Sequence, residues 1–406
     1  MRRAFLFLQG PATPFFAHLS DRLRAQGHAV HRIHFCAGDA AYWGGRPAWW
    51  FREPLTALRD FLDDFYRRHG ITDQILFGDR RPVHRPAAEH GEVCGVRTHV
   101  FEEGYFRPYW VTLEREGVNG HSLLPRDPDW FWEVGGALDE PESVVSFLSP
   151  FWKRAMHDVV YHVANAANPV LFPRYRPHGI YAPLEYAGYL KRFAWLRLFG
   201  KRERERMGAF IARKRSYFVL PLQLNSDAQI RDHSRFGDMG EVIEYVAESF
   251  ARNAPHDHHL VIKNHPLDMG LMPYDRIIKQ AARRLGLSGR IHFFEDGDLL
   301  ALLKQARGVV TVNSTAGIVA LEQGTPTLTL SDPIYNLPGL TSQVRLDEFW
   351  QAPSPPDGEL FRRFRRVVIR ATQINGGFYC ARGIALAVDN AAHVLMAECS
   401  PLEALL

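Results

Sequence analysis

The chain has 406 residues, 46% of them hydrophobic, and a formal net charge of +4. That composition excludes a disordered polymer, the mild charge argues against a dedicated nucleic-acid binder, and the length accommodates two domains of roughly 100–200 residues. Cys36, Cys94, Cys380 and Cys399 lie far apart and form no CxxC pair, which argues against a disulfide framework or zinc ribbon and favours free thiols in a reducing cytosol.

Arg3 to Leu8 reads as a buried first strand. Its apolar core, Ala4 to Leu8, is too short for a signal-peptide h-region of about 7–15 residues. Gln9-Gly10-Pro11 then turns the chain into a helix over Phe15–Gln26, stopped by Gly27. A strand over Ala29–Phe35, a helix over Glu53–Arg68 and a short strand over Gln74–Phe77 follow. From about Asp127 to Tyr189 the pattern is mainly helical, loaded with Trp130, Trp132, Phe147, Phe151 and Trp152. Between Lys191 and Arg215 ten Lys/Arg stand against two Glu, with Phe193, Trp195, Leu196, Leu198 and Phe199 interleaved.

A second series of strands and helices begins at Tyr217–Pro221 and helix Met239–Arg252. It continues with a strand ending at Lys263, helix Tyr274–Leu285, strand Ile291–Phe293 and helix Leu299–Gln305. Strand Val309–Val312, a helix entered at Ser314 and strand Thr327–Leu330 close it, and helices over Leu360–Ile374 and Tyr379–Glu398 finish the chain. Alternating strands and helices predict parallel sheets with helices on both faces. Two Rossmann-like halves joined near residue 200 and facing an interdomain cleft make an α/β, GT-B-like fold, a layout that nucleotide-sugar epimerases share. No stretch approaches the roughly 20 apolar residues of a membrane span, so membrane contact is expected to be peripheral.

Polar motifs follow the apolar runs, where parallel sheets do their chemistry. Glu102-Glu103-Gly104 sets two acids at a turn; mutual repulsion would raise one pKa and suit it to accept a proton, whereas the plain alternative is a solvated acidic turn. Tyr105, Phe106, Tyr109 and Trp110 come next and form either a sugar-facing wall or core. In Lys263-Asn264-His265-Pro266 the proline fixes the backbone that aims His265, a donor suited to a phosphate, and Lys263 adds positive potential. Asn313-Ser314-Thr315-Ala316-Gly317 is a strand-to-helix junction whose hydroxyls cap a helix and whose amides attract an anion; an ordinary capped helix is the alternative. Asp227, between Gln223 and Gln229, is either a nucleophile oriented by two amides or a turn cap. Gly78-Asp79-Arg80 with His84 offers a grip for an acceptor or a carboxylate, or else a loop salt bridge. Asp127-Pro128-Asp129 and Asp296-Gly297-Asp298 read as helix-start acids rather than metal sites, and His256-Asp257-His258-His259 reads as a loop.

In order, these motifs resemble the capsule polysaccharide biosynthesis family, bacterial β-Kdo glycosyltransferases (Kdo is 3-deoxy-D-manno-octulosonic acid). The resemblance runs from Gln9-Gly10-Pro11 to Asn375-Gly376-Gly377-Phe378-Tyr379. It implies a retaining transfer from CMP-Kdo, with no tightly bound cofactor and no essential metal. CMP would be held by Lys263, His265, Pro266, Asn313, Ser314, Thr315 and Gly317, with Gln223 and Gln229 beside the sugar. His265 would also assist departure, Asp227 would be the nucleophile of a double displacement, and Glu102 or Glu103 the acid/base. Gly10, Asp79, Arg80, His84 and Tyr105 are the expected acceptor contacts. The implied domains are 1–205 for the acceptor, with a helical insertion, and 206–375 for the CMP-sugar. A C-terminal helix, 376–406, would pack back across both. A chain with room for one catalytic module fits the enzyme that adds the first Kdo to phosphatidylglycerol. Its expected place is cytoplasmic, peripheral to the inner membrane, with Lys191–Arg215 against anionic lipid. Other capsule biosynthesis and export proteins are implied partners, and nucleic acid is not. Three alternatives stand beside this one: extension of Kdo-phosphatidylglycerol, a nucleotide-sugar 2-epimerase, and a non-catalytic export partner.

Overall fold

Alternation explains the first strand. Along β1 (Ala4–Phe7) Phe5 and Phe7 enter one apolar cluster, while Ala4 and Leu6 enter another on the opposite face. A strand buried on both faces belongs in the middle of a covered sheet, and β1 sits there. This is a computed structural model describing residues 2–141, 144–175, 182–224 and 234–406.

In chain order the helix α1 (Phe15–Ala25), strand β2 (Ala29–His34), α2 (Ala37–Trp43), β3 (Trp49–Trp50), α3 (Leu58–His69), β4 (Asp73–Phe77), α4 (Arg85–His90), β5 (Arg97–Glu103) and β6 (Trp110–Arg115) follow. After α5 (Pro128–Ala137) and α6 (Phe151–Asn165) comes a 31-residue helix, α7 (Ala182–Ala212). The second series is β7 (Tyr217–Pro221), α8 (Met239–Asn253), β8 (His259–Lys263), α9 (Tyr274–Arg284), β9 (Ile291–Phe294), α10 (Leu299–Lys304), β10 (Gly308–Thr311), α11 (Thr315–Glu322) and β11 (Thr327–Thr329). Helix α12 (Gly358–Thr372), strand β12 (Gln373–Asn375) and helix α13 (Ala381–Met396) end it.

The chain forms two α/β units. One comprises Met1–Pro125, Val134–His178 and Arg365–Leu406; the other Arg126–Glu133 and Gly179–Phe364. The sequence reading put the junction at 205/206. The structure moves it upstream because α7 already packs on the second unit before that point: Gly188 lies against Met269 and Leu271, and Arg192 bonds the carbonyls of His265 and Pro266.

The first unit's sheet has the order β12-β6-β5-β4-β1-β2-β3. Strands β1 to β5 are parallel, but β6 runs antiparallel to β5, and β12 antiparallel to β6. The sheet is therefore mixed, not all-parallel. The residues from Gln373, read as the end of a helix, form its edge strand. Gly104 makes the β5–β6 turn: a Cβ there would lie 2.1 Å from the carbonyl oxygen of Trp110.

The second unit's sheet, β11-β10-β7-β8-β9, is parallel throughout. Leu220 and Ile262 point into one core, Val219 and Val261 into the other. Helix α8 starts where Asp238 accepts from Glu241 N at 3.0 Å, a cap worth about 1 kcal/mol. It buries Met239, Val242, Ile243, Val246 and Phe250 at helical spacing. Each such side chain contributes roughly 1.5–3 kcal/mol, so a charge at Val246 would break the packing of this face.

Candidate functional site

In an open α/β sheet the ligand crevice lies at the carboxyl ends of the strands, where strand order reverses. In the second unit the chain builds β7, β8 and β9 in one direction, then returns to place β10 and β11 on the other side of β7. The reversal lies between β7 and β10, and an amide pair bridges it. Gln223 Nε2 donates to Asn313 Oδ1 at 2.8 Å, and Asn313 N donates to Gln223 Oε1 at 3.2 Å. Ser314 is the N-cap of α11, its hydroxyl accepting from Ala316 N at 3.1 Å. Thr315 opens that helix, so the amides of its first turn face the strand ends. Gly317 is required by a close approach: a Cβ would meet Tyr335 Oη at 2.4 Å, and that hydroxyl donates to Ser314 O at 2.6 Å.

The His-Pro motif follows β8, next to β7. His265 Nδ1 accepts from Leu267 N at 3.1 Å, which leaves the ring proton on Nε2. Asn264 is buried; it accepts from His265 N at 2.8 Å and donates to Glu295 Oε2 at 2.8 Å. Lys263 is also buried, its Nζ donating to Asn264 O at 2.9 Å, and burial pulls its pKa down to about 8. The loop is gripped from outside by buried Arg192 of α7. Its guanidinium donates to His265 O at 3.0 Å, to Pro266 O at 3.1 Å and to Asp268 O, and pairs with Glu295 at 3.6 Å. Arg192 was read only as one charge in a basic stretch. Its partners are backbone carbonyls 73 to 76 positions away, which leave no local trace in the sequence.

That stretch is less available to a lipid surface than its composition implies. Arg204 pairs with Asp296, and Arg206 pairs with Glu203 at 2.8 Å and bonds Phe293 O. Asp298 caps α10 through Ala301 N, and Asp127 accepts from Asp129 N, as the helix-start reading of both Asp-x-Asp triplets expects. Asp227 and Gln229 lie outside the described residues.

The first unit has its own reversal, between β1 and β4. It too is bridged at a glutamine. Arg81 Nη1 donates to Gln9 Oε1 at 3.4 Å and to Gly10 O at 3.2 Å. Arg81, not the expected Arg80, reaches this point; Arg80 is engaged with Glu89 and His121. Asp79 is buried and bonded to His121 at 3.0 Å. His84 is fully buried and donates from Nδ1 to Gly78 O at 2.7 Å; burial, then Arg81, depresses its pKa to about 3. Tyr105 is buried with its hydroxyl donating to Glu114 at 2.7 Å and accepting from Asn119 N at 2.8 Å. His84 and Tyr105 thus support the backbone from below, a correction to their expected place against an acceptor.

Glu102 and Glu103 are the last residues of β5 and project to opposite faces. Glu102 Oε1 accepts from Glu103 N at 3.0 Å, and its other oxygen lies beside Gly78 at the reversal. Glu103 accepts from Tyr379 Oη at 2.9 Å and pairs with Arg154 of α6 at 3.3 Å; that guanidinium also covers the Tyr379 ring at 4.7 Å. Tyr379 and Arg154 are new to the site. Among the described residues the group with metal-ligand geometry is Asp63, His90 and Cys94. It contains none of the expected site residues, and Arg59 lies 3.3 Å from His90, a poor neighbour for a cation.

Comparison with known proteins adds sequence relatives. The family model described as capsule polysaccharide biosynthesis protein matches residues 72–379. The capsule polysaccharide export protein KpsS of Escherichia coli is 35% identical over 380 residues, covering 93% of this chain and 97% of that protein. The capsule polysaccharide modification protein LipB of Neisseria meningitidis serogroup B is 36% identical over 391 residues, 92% of this chain and 91% of the relative. Among solved structures, Thermosulfurimonas dismutans KpsC, a β-Kdo 2,7 transferase, superposes with a TM-score of 0.45 at 12% identity, over 97% of this chain and all of that one.

Proposed function

The chain belongs to the capsule polysaccharide biosynthesis protein family, and on that premise we propose that it is a retaining glycosyltransferase that moves Kdo from CMP-Kdo to the hydroxyl of a lipid acceptor, phosphatidylglycerol first. The observation that carries this reading is the second unit's reversal point. There an amide pair, a capped helix start and a clamped His-Pro loop end three adjacent strands, β10, β7 and β8. Helix-start amides and an imidazole Nε2–H suit a phosphate, and the order of the motifs resembles that expected of β-Kdo glycosyltransferases.

In this reading Asp227 attacks the anomeric carbon, CMP departs with its phosphate held by His265 and the α11 amides, and a glycosyl ester forms. Glu102 or Glu103 then accepts the proton of the acceptor hydroxyl as that oxygen displaces Asp227, so two inversions restore the configuration. Lys263, Pro266 and Thr315 complete the CMP site, and the reaction needs no resident metal. Among the described residues no helix is long and apolar enough to cross a membrane; in this reading the chain meets its lipid acceptor at the membrane surface.

The test is incubation with CMP-Kdo and a fluorescent phosphatidylglycerol analogue, with product mass and anomeric configuration as readouts. A β-linked mono-Kdo product is expected. Product only from Kdo-phosphatidylglycerol would assign the chain to linker extension. Stabilisation by a uridine nucleotide but not by CMP would refute the donor and favour epimerisation.

A further inference from the structure

Helix α6 carries its polar side chains inward. Arg154 reaches Glu103, His157 Nδ1 lies 2.9 Å from Tyr42 Oη, Tyr161 Oη meets Cys36 Sγ at 3.0 Å, and Asn165 Oδ1 accepts from Gly38 N at 2.8 Å. At 3.6 residues per turn these positions form one stripe. The opposite stripe is Trp152, Met156, Val159, Val160 and Val163, all exposed, with Trp152 at 59% and Val163 at 68%. A surface helix of a globular protein normally shows the reverse, and an apolar stripe of this length on a surface marks a place where something docks.

The charges around the stripe indicate what docks. Of the cations between residues 144 and 175, Arg154 pairs with Glu103 at 3.3 Å and Arg174 with Glu53 at 3.0 Å, Asp158 faces His162 at 3.6 Å, and Lys153 stands at the end of the stripe. Lys153 Nζ lies 5.7 Å over the Trp152 ring. A tryptophan and a lysine at one end, followed by methionine and valines along one face, is the pattern of a helix lying in a lipid interface. Lys153, at the Trp152 end of the stripe, complements an anionic headgroup layer.

We propose that the outer face of α6 is a docking surface for an anionic lipid bilayer. Met156, Val159, Val160 and Val163 enter the acyl boundary, and Trp152 and Lys153 stay at headgroup level. The docking does not depend on the transfer proposed above. Its use does rest on that reading: Arg154, on the reverse of the same helix, holds Glu103, so docking sets this carboxylate about one helix diameter, ~10 Å, from the lipid surface.

The experiment is flotation of the full chain with phosphatidylcholine vesicles, with and without about 30% phosphatidylglycerol, for the wild type and a Val160→Glu/Val163→Glu double variant. Wild type is expected to float with the anionic vesicles, and the double variant to bind at least tenfold more weakly with an unchanged circular dichroism spectrum. Should that variant misfold, Trp152→Ala/Val163→Ser takes its place, with the same expected loss. A wild type that fails to float, or a folded variant that floats as well as wild type, would overturn the proposal. So would light scattering that shows a wild-type dimer broken by the variant, since the face would then belong to a second copy. No sugar nucleotide is present, so failure here is distinguishable from failure of the proposed transfer.

Discussion

Replacing Arg192 with methionine keeps most of the side-chain volume and removes the clamp on the His-Pro loop. Three carbonyls lose a cationic donor: His265 O at 3.0 Å, Pro266 O at 3.1 Å and Asp268 O. A bond to a charged group contributes roughly 1.5–3 kcal/mol, and part of that is offset because a buried guanidinium no longer has to be desolvated. The expected net loss is about 3 kcal/mol, confined to opening of the loop. Hydrogen–deuterium exchange of a peptide spanning residues 264–270 reads it directly, since Leu267 N and Asp268 N are bonded only within the closed loop, to His265 Nδ1 and His265 O. At 1.4 kcal/mol per tenfold, protection should fall about 100-fold, with Arg192→Lys between the two. CMP affinity should fall with it. Exchange within about threefold of wild type in a folded variant would refute the idea that Arg192 organises this loop.

Tyr379→Phe removes the hydroxyl held 2.9 Å from Glu103 and should lower kcat/KM for the acceptor by about tenfold with little change in melting temperature, consistent with a bond of about 1 kcal/mol; an unchanged kcat/KM would detach Glu103 from the reaction. Gly317→Ala forces a methyl against Tyr335 Oη and should cost about 1–3 kcal/mol, with part of that recovered in Gly317→Ala/Tyr335→Phe; thermal melts of the full cycle check it, and an additive double variant would show the clash is elsewhere. Lys263 has a folded pKa of about 8 against 10.5 in the unfolded chain. Between those values the unfolded lysine keeps its proton while the folded one has released it, so stability rises with pH across the window and the gain is lost as pH falls through 8. The gain is on the order of 3 kcal/mol; denaturant titrations at pH 7.5 and 10.5 should show it in wild type and not in Lys263→Met, and parallel behaviour of the two proteins would sink the assignment.

Much of this architecture was legible because buried strands announce themselves. Tyr217–Pro221 is an unbroken apolar run ended by proline, and its expected limits coincide with β7. Leu260-Val261-Ile262 and Val309-Val310 do the same for β8 and β10, so the motifs that follow them were placed at strand ends from their order alone. What failed depended on distant pairing. Gln373-Ile374-Asn375 continues the apolar period of α12, and only hydrogen bonding to β6, some 260 positions earlier, makes it a strand. Strand β6 itself mixes buried Thr112 and Glu114 with Val111 and Leu113, which erases its alternation. Arg80 and Arg81 are adjacent and chemically alike, and only the backbone turn decides which reaches Gln9. His84 sits in a polar run that advertises a surface, yet its ring is wholly enclosed.

The three residues of β12 come from the far end of the chain, yet they close the sheet begun at residue 4. During synthesis β6 therefore emerges as a bare rim, and the entire second unit leaves the ribosome before its cover is made. The later-encoded unit is contiguous apart from one short segment and is free to mature first, while the earlier one waits. Expression of residues 1–364 would leave that rim permanently open, a template for strand addition between copies. Fragments meant to isolate the first unit should instead join residue 178 to residue 365, which keeps β12 with the sheet it completes.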